Sequence, residues 1–276
     1  MNKALHKDTD KIKLISLDVD FTLVDDRKEI PEINREAVRW AHFDKKIHIT
    51  INSGRIAPSV RDYMERLGIY EAYPSLGGCI VQQWDGEIIK ENFIDRAVAL
   101  GIYRTAKALG CTILAYHHDS WFIDSEKDLW YESEYQATKV KGTAADIENL
   151  LYGRAVNKLL GAHLDEEKTS RLESMILENY SEKIDCFKST SQFLEIVPKG
   201  VNKGTAIKAL CGFCGITKEN VLCIGDYFND VDMFKASGFP VAMANAPAEI
   251  KAMAKYVTKA DNNNGGVAEA IYNTLG

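Results

Sequence analysis

The stretch Leu14-Ile15-Ser16-Leu17-Asp18-Val19-Asp20-Phe21-Thr22 constrains this chain more than any other. A short apolar, partly β-branched run reads as a buried strand, and this one stops at two aspartates one residue apart. Both carboxylates therefore belong at the strand's carboxyl end, which in open parallel α/β sheets is the end where ligands bind. Two carboxylates a few Å apart repel by about 4 kcal/mol at an effective dielectric of ~20. Something cationic must offset that, and a divalent metal is the simple candidate. Taken alone, the fragment has a plain alternative as an Asp-rich turn after a strand.

Three further fragments fit the same kind of position. Ile47 to Asn52 runs into Ser53-Gly54-Arg55, which offers a hydroxyl and a flexible backbone amide, both suited to a phosphoryl oxygen. Val197 to Gly204 places Lys203 at the start of a helix over Thr205 to Leu210, where its ammonium and the helix dipole share one sign. Val221 to Asp230 delivers Asp226 and Asp230 around Asn229, a residue able to cap the next helix. Each has a structural reading of its own: Ser53 as a turn residue, Lys203 as a solvated charge, Asp230 as a first-turn acid. As an ordered set at strand ends they are harder to explain that way.

The set Asp18-x-Asp20-x-Thr22, Ser53-Gly54-Arg55, Phe193-Leu194-Glu195-Ile196-Val197-Pro198 through Lys203-Gly204, Gly225-Asp226-x-x-Asn229-Asp230-x-x-Met233, Asn245-Ala246 and Gly266-Val267-Ala268 resembles the haloacid dehalogenase-like phosphohydrolases, among them the Cof-type sugar-phosphate phosphatases. The match covers both flanks of the chain; the middle agrees in layout only. Three positions depart from the family pattern. Phe21 stands where glycine is usual, Asn52 where a small residue or threonine is usual, and Gly77-Gly78 where asparagine precedes a glycine. Glycine at the first of these lets backbone approach a phosphate closely, so Phe21 bears on efficiency and pocket size without removing a catalytic side chain.

Both flanks alternate strand and helix in the manner of a doubly wound, Rossmann-like parallel sheet. About 150 positions separate Ser53 from Lys203, far beyond the usual connection. A second domain must be inserted there: residues 82–188 read as an α+β cap, with 1–81 and 189–276 as the core. The insertion point resembles the C2 type, which implies a role in substrate specificity. The cap opens with a hairpin from Cys79 to Ile89, whose Asp85-Gly86 suits a type I′ turn. Inside it we expect helices Ala97 to Leu109, Ala144 to Leu150 and Glu166 to Glu178. Strands are expected over Thr112 to Tyr116, Ser120 to Ile123, Ala155 to Leu160, Lys183 to Lys188 and Gln192 to Val197. Asn262 to Gly266 reads as a loop before the last helix.

The resemblance implies a Mg²⁺-dependent phosphatase acting on small phosphorylated metabolites. Asp18 would be the nucleophile, dividing a slow hydrolysis into two transfers through an aspartyl-phosphate. Asp20 would protonate the leaving alcohol and then activate water. Asp18, Asp226 and the backbone carbonyl of Asp20 would hold the metal. Lys203, Ser53, Gly54, Asn229 and the Val19 amide would hold the phosphoryl group, and Asp230 would support Lys203 or a metal-bound water. Other classes remain open at this level: a phosphomutase or phosphotransferase that excludes water, or a weakened phosphosugar-binding regulator suggested by Phe21.

A net charge of −6 without a basic run argues against nucleic acid or an anionic membrane as partner. Met1 to Asp8 lacks the apolar core of a signal peptide, so the expectation is a cytoplasmic protein, monomeric or homodimeric. Cys211-Gly-Phe-Cys214 has redox-motif spacing but follows the apolar pattern Ala206, Ile207, Ala209, Leu210, which places it at a helix's end, away from the N-terminal position that activates a thiol. No second pair completes a zinc site. His117-His118-Asp119-Ser120-Trp121 could face a sugar but reads more simply as a solvated turn. As metal ligands the two histidines are disfavoured, since neighbours on a strand point to opposite faces.

Overall fold

A computed structural model describes residues 11–276; the segment Met1 to Asp8, read above for a leader, lies outside them. The chain forms β1 (Leu14–Leu17), α1 (Glu32–Phe43), β2 (His48–Ile51), α2 (Ala57–Leu67), β3 (Tyr73–Ser75), β4 (Ile80–Gln82) and β5 (Ile88–Glu91). Next come α3 (Arg96–Leu109), β6 (Thr112–His117), β7 (Ser120–Ile123), α4 (Leu129–Thr138), β8 (Thr143–Ala144), α5 (Ile147–Gly153), β9 (Lys158–Ala162), α6 (Glu166–Tyr180), β10 (Ile184–Thr190) and β11 (Phe193–Pro198). The last part holds α7 (Lys203–Cys214), β12 (Val221–Gly225), α8 (Val231–Lys235), β13 (Phe239–Ala242), α9 (Ala248–Lys251), β14 (Tyr256–Val257) and α10 (Gly266–Leu275). Two compact units result. One holds the described residues up to Gly54 with Val60–Ile89 and Asn202–Gly276; the other holds Arg55–Ser59 and Lys90–Val201.

In the first unit a parallel sheet runs in the order β14-β13-β12-β1-β2. β1 is central: Leu14–Leu17 lie in register with Val221–Ile224 on one side and His48–Ile51 on the other. Every residue of β1 and β12 is buried, as expected for strands covered on both faces. Ala206, Ile207 and Leu210 of α7 and Met233 and Phe234 of α8 join Leu14, Val221 and Cys223 in one apolar cluster. Because β1 connects to β2 on one side and β12 lies on the other, the strand order reverses at β1, where open sheets form their ligand crevice. The α7 start is fixed locally: the Asn202 side chain accepts from the Thr205 N–H at 2.9 Å, and Thr205 Oγ1 accepts from the Asn202 N–H at 3.1 Å.

β3, β4 and β5 form a small separate sheet. Its hairpin turn is not the expected type I′, which needs a left-handed residue at both central positions. Only Gly86 has positive φ (95°), and the Gly86 N–H donates to the Gln83 carbonyl at 3.1 Å. That is a type I turn closed by a left-handed glycine, the usual three-residue hairpin loop.

The second unit is α+β. Its sheet runs β10-β11-β9-β6-β7-β8, antiparallel except for the β7–β8 pair. Ile113, Ala115, Leu159, Leu194 and Ile196 on one face share a core with residues of α3, α5 and α6. The expected insertion limits of 82–188 differ from this unit's, because β11, beyond residue 188, pairs with β10 up to Pro198 and with β9 up to Ile196. α5 starts at Ile147, later than its apolar residues suggested, because the Asp146 side chain caps it by accepting from the Asn149 N–H at 3.0 Å. Helix α4 has no counterpart in the sequence reading. Leu129, Trp130, Tyr131 and Tyr135 surround it without a clean stripe, and only the Asp128 cap, accepting from the Trp130 N–H at 3.0 Å, marks its start. Among the described residues no helix is long and apolar enough to cross a membrane.

Candidate active site

Asp18 is the first residue past β1, and its N–H still donates to the Ile224 carbonyl at 3.0 Å, so the ladder with β12 carries the aspartate to the sheet's carboxyl edge. Its neighbour across the sheet, Asn52, donates its N–H to the Leu17 carbonyl at 2.8 Å. Thus β1, β2 and β12 end side by side. Lys203, opening α7, donates from Nζ to Asp18 Oδ1 and to Asp230 Oδ1, both at 2.6 Å. These side chains are buried: Asp18 is 5% exposed, Lys203 3% and Asp230 0%. The other Asp230 oxygen accepts from the N–H groups of Asp226 and Tyr227 at 2.9 and 3.2 Å. Asp226 Oδ1 accepts from Thr22 Oγ1 at 2.9 Å. Two unfavourable facts about Lys203, burial and the helix dipole's sign, are outweighed by two carboxylates in contact with it.

The electrostatics of this group are one-sided. Three carboxylates surround one ammonium, and one oxygen from each of Asp18, Asp226 and Asp230 lies within 4.8 Å of the others. Burial, then Asp230, raises the Asp18 carboxyl well above its ordinary range despite Lys203. Burial and Asp230 likewise push Asp226 up to about 7. Burial works against the charged form of Lys203, yet Asp18 and Asp230 hold its pKa above the usual lysine value. A hard dication suits such an all-oxygen donor set. Asp230 already uses one oxygen on Lys203 and the other on two backbone amides, which leaves Asp18 and Asp226 as its available ligands.

The remaining candidates lie around this centre in different ways. Val19 begins a single wide helical turn, Val19–Leu23, closed by the Val24 N–H on the Val19 carbonyl at 3.1 Å. Asp20, inside it, meets Lys28 Nζ at 2.8 Å. Ser53 is buried just past β2, and its carbonyl accepts from the Gly77 N–H at 2.9 Å; Gly54 follows it and is exposed. Asn229 is exposed in the short turn Phe228–Asp230. The structure thus gathers Asp18, Lys203, Asp226 and Asp230 in one buried group, while Asp20, whose charge also acts on Asp226, contacts Lys28 and Asn229 is exposed.

Supporting contacts appear that sequence spacing could not assign. The Asn52 side chain donates to the Lys203 carbonyl at 3.0 Å, tying β2 to the α7 start. Asn262 and Asn263, from the loop before α10, bind the segment after the wide turn: Asn262 Nδ2 donates to the Val24 carbonyl and Asn263 Oδ1 accepts from the Asp26 N–H, both at 3.1 Å. Gly225 closes β12 so near Asp230 that a β-carbon there would sit 2.5 Å from its Oδ2 and 2.6 Å from its Cγ. Gly225→Ala should therefore displace the carboxylate from Lys203 and lower turnover about 10²-fold, with substrate affinity less affected. Steady-state kinetics with melting curves checks this.

Phe21 answers its own question. It has φ 58° and ψ 11°, the left-handed conformation that explains why glycine suits this position. Its ring is 51% exposed, with Lys28 Nζ 4.6 Å from the ring centre, and its carbonyl accepts from Asn245 Nδ2 at 2.9 Å. Left-handed backbone costs a non-glycine residue about 1–2 kcal/mol, which the greater freedom of glycine in the unfolded chain partly cancels. Phe21→Gly should therefore leave stability within about 1 kcal/mol of the parent and kcat on small phosphates within a few-fold, as read by denaturant titration and aryl-phosphate turnover.

Two sequence expectations about other groups meet different fates. All six cysteines are free, and burial raises the thiols of Cys211 and Cys214, at the end of α7, away from reactivity. His117 and His118 do not point to opposite faces: His118 lies past β6 with φ 52°, and this left-handed turn brings the rings to 4.4 Å. His118 Nε2 meets Glu91 at 3.1 Å. Neither histidine enters a three-ligand group; among the described residues only Asp18, Asp226 and Asp230 form one.

A parallel sheet reversing at β1 thus carries a buried acidic cluster and a buried lysine at its carboxyl edge. The family model for haloacid dehalogenase-like hydrolases matches residues 15–271, and the chain belongs to that family. It is 28% identical over 260 residues to a 5-amino-6-(5-phospho-D-ribitylamino)uracil phosphatase of Bacillus subtilis, covering 94% of each chain. It is 29% identical over 260 residues to a phosphoglycolate phosphatase of Methanobrevibacter smithii, covering 94% of this chain and 97% of that one. Among solved structures, a haloacid dehalogenase-like hydrolase from Bacteroides thetaiotaomicron aligns with a TM-score of 0.87 at 30% identity, covering 95% of this chain and 98% of that one. The chain is a phosphoric monoester hydrolase.

Proposed function

We propose that this enzyme hydrolyses small phosphorylated metabolites, sugar phosphates foremost, with Mg²⁺ and through an aspartyl-phosphate on Asp18. The observation that carries the reading is the buried Asp18–Lys203–Asp230 chain beside Asp226. Lys203 fixes the Asp18 carboxylate at the strand end, so that one oxygen can attack phosphorus while the ammonium offsets the charge gathering on the phosphoryl group. Asp20 donates a proton to the departing alcohol and later takes one from the attacking water, which requires its carboxylate to leave Lys28 and turn to the substrate. The Val19 amide, Ser53, Gly54 and Asn229 hold the other phosphoryl oxygens. Asp18, Asp226 and the Asp20 carbonyl would hold the magnesium ion, which when bound would supply positive charge against the carboxylates and the phosphoryl oxygen. Asp230, engaged by Lys203 and two amides, keeps that lysine in place. The inserted unit serves as the cap that selects substrate, since the core's groups recognise only the phosphoryl end. Relatives named for a phosphoribityl compound and for phosphoglycolate support small phosphorylated metabolites as the class.

A panel of sugar, alditol and carboxylic-acid phosphates, scored for released phosphate with and without chelator, tests the reading. Chelation should stop release, Mg²⁺ should restore it, and Asp226→Ala should demand far more Mg²⁺ than Asp230→Asn. Release that ignores both chelator and Asp226→Ala would place the chemistry elsewhere.

A further inference from the structure

We infer that the outer face of α1 is an interface between two copies of this chain, packed antiparallel about a twofold axis. The inference does not depend on the phosphatase reading. An open cavity of about 630 Å³ lies on this side of the first unit, lined by Glu32, Arg35, Glu36, Arg39 and Phe43 of α1 and by Arg66 of α2. Residues three and four apart along a helix share one face, and these five are spaced in that way. All five are exposed, whereas Asn34, Ala37, Val38 and Ala41 on the other side of the helix are buried.

The charge pattern says what covers this face. From Glu32 through Arg35 and Glu36 to Arg39 the charges run acid, base, acid, base. When two such helices lie antiparallel with the axis between positions 35 and 36, Glu32 faces Arg39 of the partner subunit and Arg35 faces Glu36 of the partner subunit. Each contact then occurs twice, as a twofold interface requires. Parallel helices in register would instead set like charges against each other. A net charge of −6 makes two copies repel over most of their surface, but the cavity lining balances Arg35, Arg39 and Arg66 with Glu32, Glu36 and Asp44. Copies can meet here without that penalty. A small anion finds no excess of positive charge, because Arg35 already meets Glu32, Arg66 meets Glu29, and Arg39 donates to the Leu67 carbonyl at 2.6 Å. The exposed Arg35–Glu32 pair contributes little by itself and can exchange partners on association. Phe43, 41% exposed, with the Arg39 guanidinium 4.8 Å from its ring centre, adds apolar area to the contact. A helix face of about 18 Å offers less than the roughly 800 Å² per partner of a standard interface. The expected form is a weak, concentration-dependent dimer.

Sedimentation velocity on the full chain, over a roughly hundredfold range of micromolar concentrations, tests the interface. Wild type should dimerise as concentration rises, and raising salt from about 0.05 M to about 0.5 M should weaken association several-fold by screening the exposed charges. Arg35→Glu and Glu36→Arg should each weaken it about tenfold or more by setting like charges opposite. The double variant carrying both substitutions exchanges the two members of that pair on each copy, so it should return to within about threefold of the parent. Melting curves should stay close to the parent's for all three, since both positions are exposed on the helix surface. A wild type that remains monomeric throughout overturns the interface, and uptake of poly-glutamate by such a monomer, lost in Arg35→Glu, would assign the groove to an acidic partner instead. A dimer indifferent to the single reversals, or one that the double variant fails to restore, overturns it equally.

Discussion

Asp18→Asn should lower phosphate release by about 10⁴-fold or more while the protein keeps its fold. The asparagine amide is nearly isosteric with the carboxylate, so packing beneath β1 survives, but an amide oxygen is too poor a nucleophile to form the acyl-phosphate. Stability should move the other way. Asp18 is one of three buried carboxylates around a single ammonium, and its carboxyl is held well above the ordinary range by burial and Asp230. Asp226, pushed to about 7 from an ordinary 3.8, behaves alike. A raised carboxyl pKa means that the folded state binds its proton more tightly than the unfolded chain. The stability this contributes is complete below about pH 4 and is lost as pH rises through about 7. Metal-free wild-type protein should therefore melt lower at pH 8 than at pH 5, and Asp18→Asn should show a shallower fall. Mg²⁺ should raise the wild-type melting temperature at pH 8 far more than that of Asp18→Asn. Near-wild-type turnover by Asp18→Asn would remove the nucleophile from this account.

Lys203→Met should be the most destabilising single change at the site, at about 3–5 kcal/mol in metal-free protein near pH 8. Methionine matches the stem of the lysine, so the loss is electrostatic. Asp18 and Asp230, each 2.6 Å from Nζ, would be left buried without their cation. Breaking one partner of a buried ion pair costs more than the pair contributes, because the survivor cannot return to water. Part of the loss should be recovered at pH 5, where carboxyls with raised pKa values take up protons. Turnover should fall as far as in Asp18→Asn even where the protein is folded, because the lysine also balances charge at the phosphoryl group. Denaturant titrations at the two pH values with turnover of the folded fraction check both parts. Equal stability of Lys203→Met and wild type would show that the carboxylates are offset by something other than this lysine.

What could be read from the residues was local. The Leu14–Leu17 run, the apolar Val221–Gly225 strand and the Asn202 cap of α7 each declare themselves in a few neighbouring positions. Those positions alone put Asp18, Ser53, Lys203 and Asp226 at element ends. In the inserted unit the strand Ser120–Ile123 agrees to the residue and the Thr112 strand to within one. Helix α4 was illegible because its apolar residues face several ways. Asp85-Gly86 does not by itself specify its turn, because Asp-Gly is compatible with more than one hairpin loop.

The sequence by itself determined which candidate side chains stand at the ends of strands and the start of α7, since strand periodicity and capping act over a few residues. Only the tertiary structure decided how those ends meet. Asp18 and Lys203 are 185 residues apart in sequence, and their contact exists because β1 and β12 pair while α7 packs beneath them. The commitment of Asp230 to Lys203 and two amides, the contact of Asp20 with Lys28 and the hydrogen bond of Asn245 to the Phe21 carbonyl depend likewise on groups brought together from different elements. Long-range pairing and burial set these contacts, and no spacing along the chain encodes them.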